Sequence, residues 1–296
     1  MTDATIVTVP AGRRSYAGMI LRRFLTHKMA VFGGIIVVLL CFSALFAQFL
    51  VPHDPLEIET SRRFLAPLVS WEYPLGTDDL GRDTLSRLLY GGQVSLIVGI
   101  VAMLTTMVTG TLVGLAAGYY GSVVDNLLMR LVDTLLCFPQ VFLLLVIAAF
   151  VPPTILSISL IIGLTSWMEV SRIVRAQVST IKAMDYVHAS RGFGASNWRI
   201  MVVELLPNIL APVLVAATLK VATAVLMESY ISFLGYGVQP PLASWGNMLT
   251  NAQGYFDTVP FLAILPGILI TLTVMGFNFL GDGLRDAFDA RLKLDA

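Results

Sequence analysis

The chain reads as an all-α polytopic membrane protein, and three observations lead there. Hydrophobic residues fill 56% of its 296 positions and charged residues only 13%, where a soluble domain carries about 25% charged residues. Mean hydropathy is +0.81, and apolar runs long enough to cross a bilayer recur along the chain. The formal net charge is zero, so no basic field points to nucleic acid. The lipid bilayer is the expected surrounding, with about six spans. No low-complexity segment or linker divides the chain, and a single membrane-embedded unit is expected.

A bilayer core of ~30 Å takes about 20 apolar residues as helix. The first run, Met29–Val51, is uncharged and follows Arg13, Arg14, Arg22, Arg23 and Lys28. A cleavable signal peptide has an apolar region of about 7–15 residues, so this longer run is expected to stay as the first span. It follows an N-terminal tail of residues 1–28. Five more spans are expected over 94–119, 134–151, 154–168, 209–227 and 259–280. They complete a transmembrane domain at 29–280, with a C-terminal tail at 281–296. Pro152-Pro153 enforces a break, because the residue before a proline avoids helical backbone. The third and fourth spans are therefore expected to form a tight hairpin.

Basic residues set the sidedness. Six spans put both termini on one side. With that side cytoplasmic, the inner segments hold five Lys/Arg in the N-tail, Arg130, five in the 171–207 loop, and Arg285, Arg291 and Lys293. The outer segments hold Arg62, Arg63, Arg82 and Arg87, diluted by seven acids. A multi-pass protein of the cell (inner or plasma) membrane is expected, with both termini and the 171–207 loop in the cytosol.

A loop as long as 171–207 between spans is either ordered by something or disordered, and apolar residues at helical spacing, punctuated by glycines, argue for order. It contains Asp185-Tyr-Val-His-Ala-Ser-Arg-Gly-Phe-Gly194-Ala-Ser and, further on, Leu206-Pro207. Tyr186, Val187, Ala189 and Ser190 fit a short helix that Gly192 and Gly194 can end in left-handed backbone. Ser196 can cap a second helix through Trp198, Ile200, Met201 and Leu205. Pro207 suits the first turn of the next span, where its missing N–H is harmless. Ala189 and Ser190 are small enough to let a partner surface approach. An ordinary surface helix-turn-helix fits the same residues.

The spacing resembles the cytoplasmic loop of permease subunits in binding-protein-dependent ABC importers. That loop reads Glu-Ala-Ala, three residues, Gly, nine residues, Ile, one residue, Leu-Pro. Ala189, Gly194, Leu206 and Pro207 match it without insertion, while His188, Ser190 and Glu204 depart. Three further segments resemble the dipeptide, oligopeptide and nickel branch, and most closely its second permease. They are Leu75-Gly-Thr-Asp-Asp-Leu-Gly-Arg-Asp-Thr-Leu-Ser-Arg-Leu-Leu-Tyr-Gly91, then Ser232-Phe-Leu-Gly-Tyr-Gly-Val-Gln-Pro-Pro241 with Ser244-Trp-Gly-Asn247, and Gly281-Asp-Gly-Leu-Arg-Asp286.

The resemblance implies a coupling helix in this loop that docks on a separate ATP-binding subunit. The docking residues would be Asp185, Tyr186, His188, Ala189, Ser190, Gly192, Gly194, Ala195, Ser196, Leu206 and Pro207. It also implies a second homologous permease sharing one path, an extracytoplasmic solute-binding protein, and import as the direction. The cargo would be di- or oligopeptides, nickel or a metal chelate, or glutathione. Consistent with a separate ATPase, none of the four lysines follows a glycine, so the chain has no phosphate loop of its own.

Other residues carry weaker signals. Asp83 and Arg87 read as an i, i+4 pair on a short amphipathic helix. Gly110, Gly114 and Gly118 form a small-residue ridge for close helix packing, within the chain or against a partner. Lys220 lies near the centre of the fifth span, where a charge faces a path or a partner. It is a candidate for the translocation path or for an ion pair, and no acid stands out at its depth. Glu228 reads as interfacial. Cys41 and Cys137 sit in apolar runs as small hydrophobes.

Two other function classes compete. An ATP-independent channel or secondary transporter would use mid-membrane ionisable groups as relays. An intramembrane enzyme would need a nucleophile with a paired base. His27, His53 and His188 all lie outside the expected spans, and no H-E-x-x-H motif occurs. No catalytic residue, metal site or cofactor is expected.

Overall fold

The structure, a computed structural model, describes residues 16–288. Arg13, Arg14, Arg291 and Lys293, with the rest of 1–15 and 289–296, lie outside the described residues. The helices in chain order are α1 (Tyr16–Thr26), α2 (Lys28–Leu45), α3 (Ala47–Leu50), α4 (Thr84–Tyr120), α5 (Ser122–Leu136), α6 (Gln140–Ala148) and α7 (Ile155–Leu164). They continue with α8 (Trp167–Lys182), α9 (Asp185–Gly192), α10 (Asn197–Arg199), α11 (Leu206–Phe233), α12 (Trp245–Ala252) and α13 (Phe261–Phe288). No strand occurs among the described residues. Among the described residues four helices are long and apolar enough to cross a membrane, or up to six spans if each of two bent pairs counts as one.

The bent pairs depart from the expected spans, and the reasons are local. The 134–151 run straddles a corner of 83° between α5 and α6, placed at Phe138-Pro139, where proline removes a helical donor. The 154–168 run is α7 plus the start of α8, which meet at 44°. At that break Thr165 Oγ1 donates to Ile161 O at 2.9 Å and Ser166 Oγ to Ile162 O at 2.7 Å. Gln140 Nε2 reaches Ser166 Oγ at 2.7 Å. Side chains thus satisfy the backbone that the bend frees.

Helix α8 runs on to Lys182, well into the stretch expected to be loop from residue 171. Val170, Val174, Val178 and Ile181 are buried along one face, with polar residues opposite, so average polarity hides an amphipathic helix. The tails shorten likewise. Residues 16–26 form α1, and α13 extends through Phe288.

Helix α4 is the centre of the bundle. Its 37 residues make it about 55 Å long, enough to cross the bilayer and project beyond it. The glycine ridge faces α8 inside this chain. A Cβ on Gly110 would lie 2.7 Å from Val170 Cβ, one on Gly114 2.5 Å from Ser171 O, and one on Gly118 2.8 Å from Val178 Cβ. The same side of α4 meets α7, where Thr106 Oγ1 donates to Gly163 O at 3.2 Å. Gly99 abuts Val225 of α11, and Gly33 of α2 abuts the Gly276 backbone of α13.

The N-terminal end of α4 corrects two expectations. Asp83 and Arg87 do not pair on a separate short helix. Asp83 is the N-cap of α4 and accepts from Ser86 N at 2.9 Å. Arg87 instead approaches Asp78 at 3.4 Å, and Asp78 also holds Arg82 at 2.7 Å. Glu228 is not interfacial but fully buried. Its carboxyl accepts from Ser95 at 3.0 Å and Ser232 at 2.8 Å. Ser95 Oγ in turn accepts from Trp245 N at 3.2 Å, and Trp245 Nε1 donates to Leu88 O at 3.0 Å. One carboxyl thereby ties α4, α11 and α12 together.

Gly114→Val tests the α4–α8 contact, because backbone stands on both sides of it. The thermal midpoint of the purified protein should fall by the equivalent of about 1–3 kcal/mol or more. Gly34→Val, with nothing within 4 Å, should leave it nearly unchanged. Equal midpoints for the two variants would contradict the close approach.

Candidate functional site

The segment between α8 and α11 folds into a small, braced knob. Helix α9 is anchored by Val187, buried among Tyr119, Ile181, Ile200 and Met201. Its other residues point outward, with Asp185, Tyr186, His188, Ala189 and Arg191 exposed. Gly194 ends it at φ +80. Ala195 N donates to Ser190 O at 3.1 Å and Gly194 N to Arg191 O at 3.0 Å, a closure of the Schellman type that requires left-handed backbone at residue 194. Gly192 is the last helical residue and plays no such part.

Ser196 caps the next helix, accepting from Arg199 N at 3.3 Å. From Asn197 onward that helix is continuous through Phe233, with a wide π turn over residues 200–205. Pro207 therefore does not open a span. It lies inside a long helix, just after the π turn. Such a turn loosens the i→i−4 ladder where proline cannot donate. The side chain of Asn208 supplies a donor to Glu204 O at 2.6 Å.

Four hydrogen bonds and two cation–π contacts brace the knob. Ser190 Oγ donates to Glu204 Oε1 at 3.1 Å, so two positions that depart from the resembling loop pattern bind each other. Asn208 Nδ2 donates to Tyr186 Oη at 3.2 Å. Tyr119, at the end of α4, donates through its hydroxyl to Asn197 Oδ1 at 2.7 Å. Lys182 Nζ donates to the Tyr119 carbonyl. The Tyr119 ring lies 5.6 Å from the Arg191 guanidinium and 5.7 Å from the Lys182 ammonium. Cation–π attraction thus fastens α8 and α9 to α4.

The tip displays apolar surface. Phe193 is 92% exposed and Trp198 68% exposed, and Met184 and Tyr186 are exposed as well. Aromatics exposed on a braced turn are accessible to a partner surface. Sequence reasoning missed Phe193, Tyr119, Asn197 and Asn208. Only the first carries a legible signal, an aromatic between two glycines.

Lys220 stands apart from this cluster, about 20 Å along α11 from Leu206 at ~1.5 Å per residue. Its ammonium pairs with Glu169 at the start of α8. This corrects the expectation of no acid at that depth. The expected span closed at Met168, one residue too early.

Known proteins resemble the chain along nearly its whole length. Residues 110–294 match the family described as binding-protein-dependent transport system inner membrane component. Residues 15–67 match the N-terminal TM domain of oligopeptide transport permease C. The chain is 41% identical over 274 residues to the di/tripeptide transport system permease protein DppC of Pseudomonas aeruginosa, covering 90% of each chain. It is 36% identical to the dipeptide transport system permease protein DppC of Haemophilus influenzae, covering 91% of this chain and 93% of that one. It is 37% identical to the glutathione transport system permease protein GsiD of Pectobacterium atrosepticum, over 92% and 90%. This breadth of match makes the chain a member of the binding-protein-dependent inner membrane components, as a permease subunit of the ABC importer branch that carries the dipeptide permeases.

Proposed function

We propose that this chain forms half of the translocation path for di- or oligopeptides or a related small solute such as glutathione, and is driven by ATP hydrolysis on a separate chain that docks on residues 184–199. The braced knob is the observation that carries this reading. Its exposed Phe193 and Trp198 offer apolar contact, and exposed Ala189 lets a partner surface come close. Its braces would pass displacement on to α4, α8 and α11. A loop with this surface but without the braces would absorb the push.

The partners on this reading are a second homologous permease, ATP-binding subunits and an extracytoplasmic solute-binding protein. Basic residues favour the orientation with both termini and the knob in the cytosol. The relatives' names give the cargo class, peptides and glutathione. An ATP-independent channel or carrier finds no support among those relatives.

Two measurements bear on the docking role. Gly194→Val forces a β-branched residue into left-handed backbone, which costs about 1–2 kcal/mol and unseats the turn. ATP-dependent uptake should drop at least ~10-fold while the protein still inserts in the membrane; full uptake would count against docking. Ser190→Ala alone leaves Glu204 without its donor, whereas Ser190→Ala with Glu204→Ile removes both partners. A double-mutant cycle on thermal midpoint should give a coupling of roughly 1 kcal/mol. Strict additivity would show that the pair does not brace the knob.

A further inference from the structure

The Lys220–Glu169 pair adjoins a cleft. The cleft, of about 700 Å³, lies between α8, α11 and α13 and is lined by Ile173, Gln177, Pro212, Leu219, Asp282 and Arg285 among others. Glu169 is one helical turn along α8 from Ile173, and Lys220 is next to Leu219. From there the cleft runs toward the end of the bundle that carries the α8–α11 knob, where Pro212 and Arg285 line it. The pair itself lies just beyond the lining, next to its Ile173 and Leu219.

Exposure of the two side chains is unequal. Lys220 is 14% exposed and Glu169 63% exposed. An open carboxylate at membrane depth does not face lipid. The exposed side of α2 carries Ile35, Val38, Leu39, Phe42 and Leu45 instead, as a lipid-facing surface should. The wall bearing Glu169 therefore borders water, cargo or a second permease.

From this we infer that Glu169 and Lys220 are a specificity-determining pair, exchanged for the two charged termini of an unblocked peptide as it passes. The inference rests on the importer reading above and adds the recognition chemistry. Without cargo each charge satisfies the other. A peptide with a free α-ammonium and a free α-carboxylate offers Glu169 a cation and Lys220 an anion, so the pair opens with no charge left alone at low dielectric. A cargo with its carboxyl terminus blocked strands Lys220, which is 14% exposed, and leaving a largely buried charge alone is costly. The flexible lysine stem permits the exchange. Asp282 and Arg285, on the α13 wall of the cleft, offer a further pair of charges.

The test uses the complete importer in proteoliposomes, with its receptor and ATPases. Ile173→Cys, in a background with Cys41→Ala and Cys137→Ala, is labelled with a maleimide. Unblocked alanyl-alanine at millimolar concentration should slow labelling at least ~3-fold. Its N-acetylated, C-amidated form should not, and protection should vanish in Glu169→Gln with Lys220→Met. Uptake should fall at least ~10-fold in either single variant and recover at least ~3-fold in the charge-swapped Glu169→Lys with Lys220→Glu. Labelling unaffected by the free dipeptide, or slowed equally by the blocked one, overturns the inference whatever the variants do. ATP-dependent uptake by the parental protein in the same vesicles reports separately on the importer reading. If that uptake is present and protection is absent, only the role of the pair falls.

Discussion

The architecture depends on how closely α4 and α8 approach. Three glycines at four-residue spacing leave α4 with a groove, and the Val170, Val174 and Val178 side of α8 fills it. No apolar driving force favours helix over lipid, so helices in a bilayer associate through such close packing and through the hydrogen bonds that it permits. Val170, Val174 and Val178 are essentially unexposed. α8 is thereby held along most of its length against the central helix.

That arrangement gives meaning to the knob and to the ion pair together. The knob joins α8 to α11, and Lys220–Glu169 joins the same two helices further into the bundle. A push on the proposed docking surface would shear one against the other across both ties. The π turn before Pro207 supplies a compliant point in α11, since its backbone ladder is already loosened. At the opposite end the buried Glu228 and its serine donors hold α4, α11 and α12 as one block. A bundle stiff at one end and jointed at the other suits a subunit that alternates access.

Composition and periodicity reached the all-helical membrane fold and most of the long helices, because those depend on apolar length alone. They failed where a span bends or carries a polar face. The 134–151 run looked like one helix because hydropathy does not register a corner at Phe138-Pro139. α8 looked like loop because its polar side outweighs its four buried aliphatics in a window average. That error hid Glu169, and with it the partner of Lys220. In the loop, Gly194 and Ser196 were legible because left-handed backbone and N-capping restrict the residue types allowed. The bracing by Tyr119, Asn197 and Asn208 was not, since it joins positions far apart in the chain. Glu228 shows the same limit: serines from different segments make its burial tolerable, and no local pattern announces them.

Everything in the functional account turns on the α8–α11 knob meeting an ATP-hydrolysing chain. A photocrosslinking residue in place of Phe193, in the assembled importer, tests this directly. The account predicts a covalent adduct to the ATP-binding subunit, with a yield that changes when ATP is hydrolysed. Crosslinks only to lipid, to the solute-binding protein or to nothing at all would contradict it.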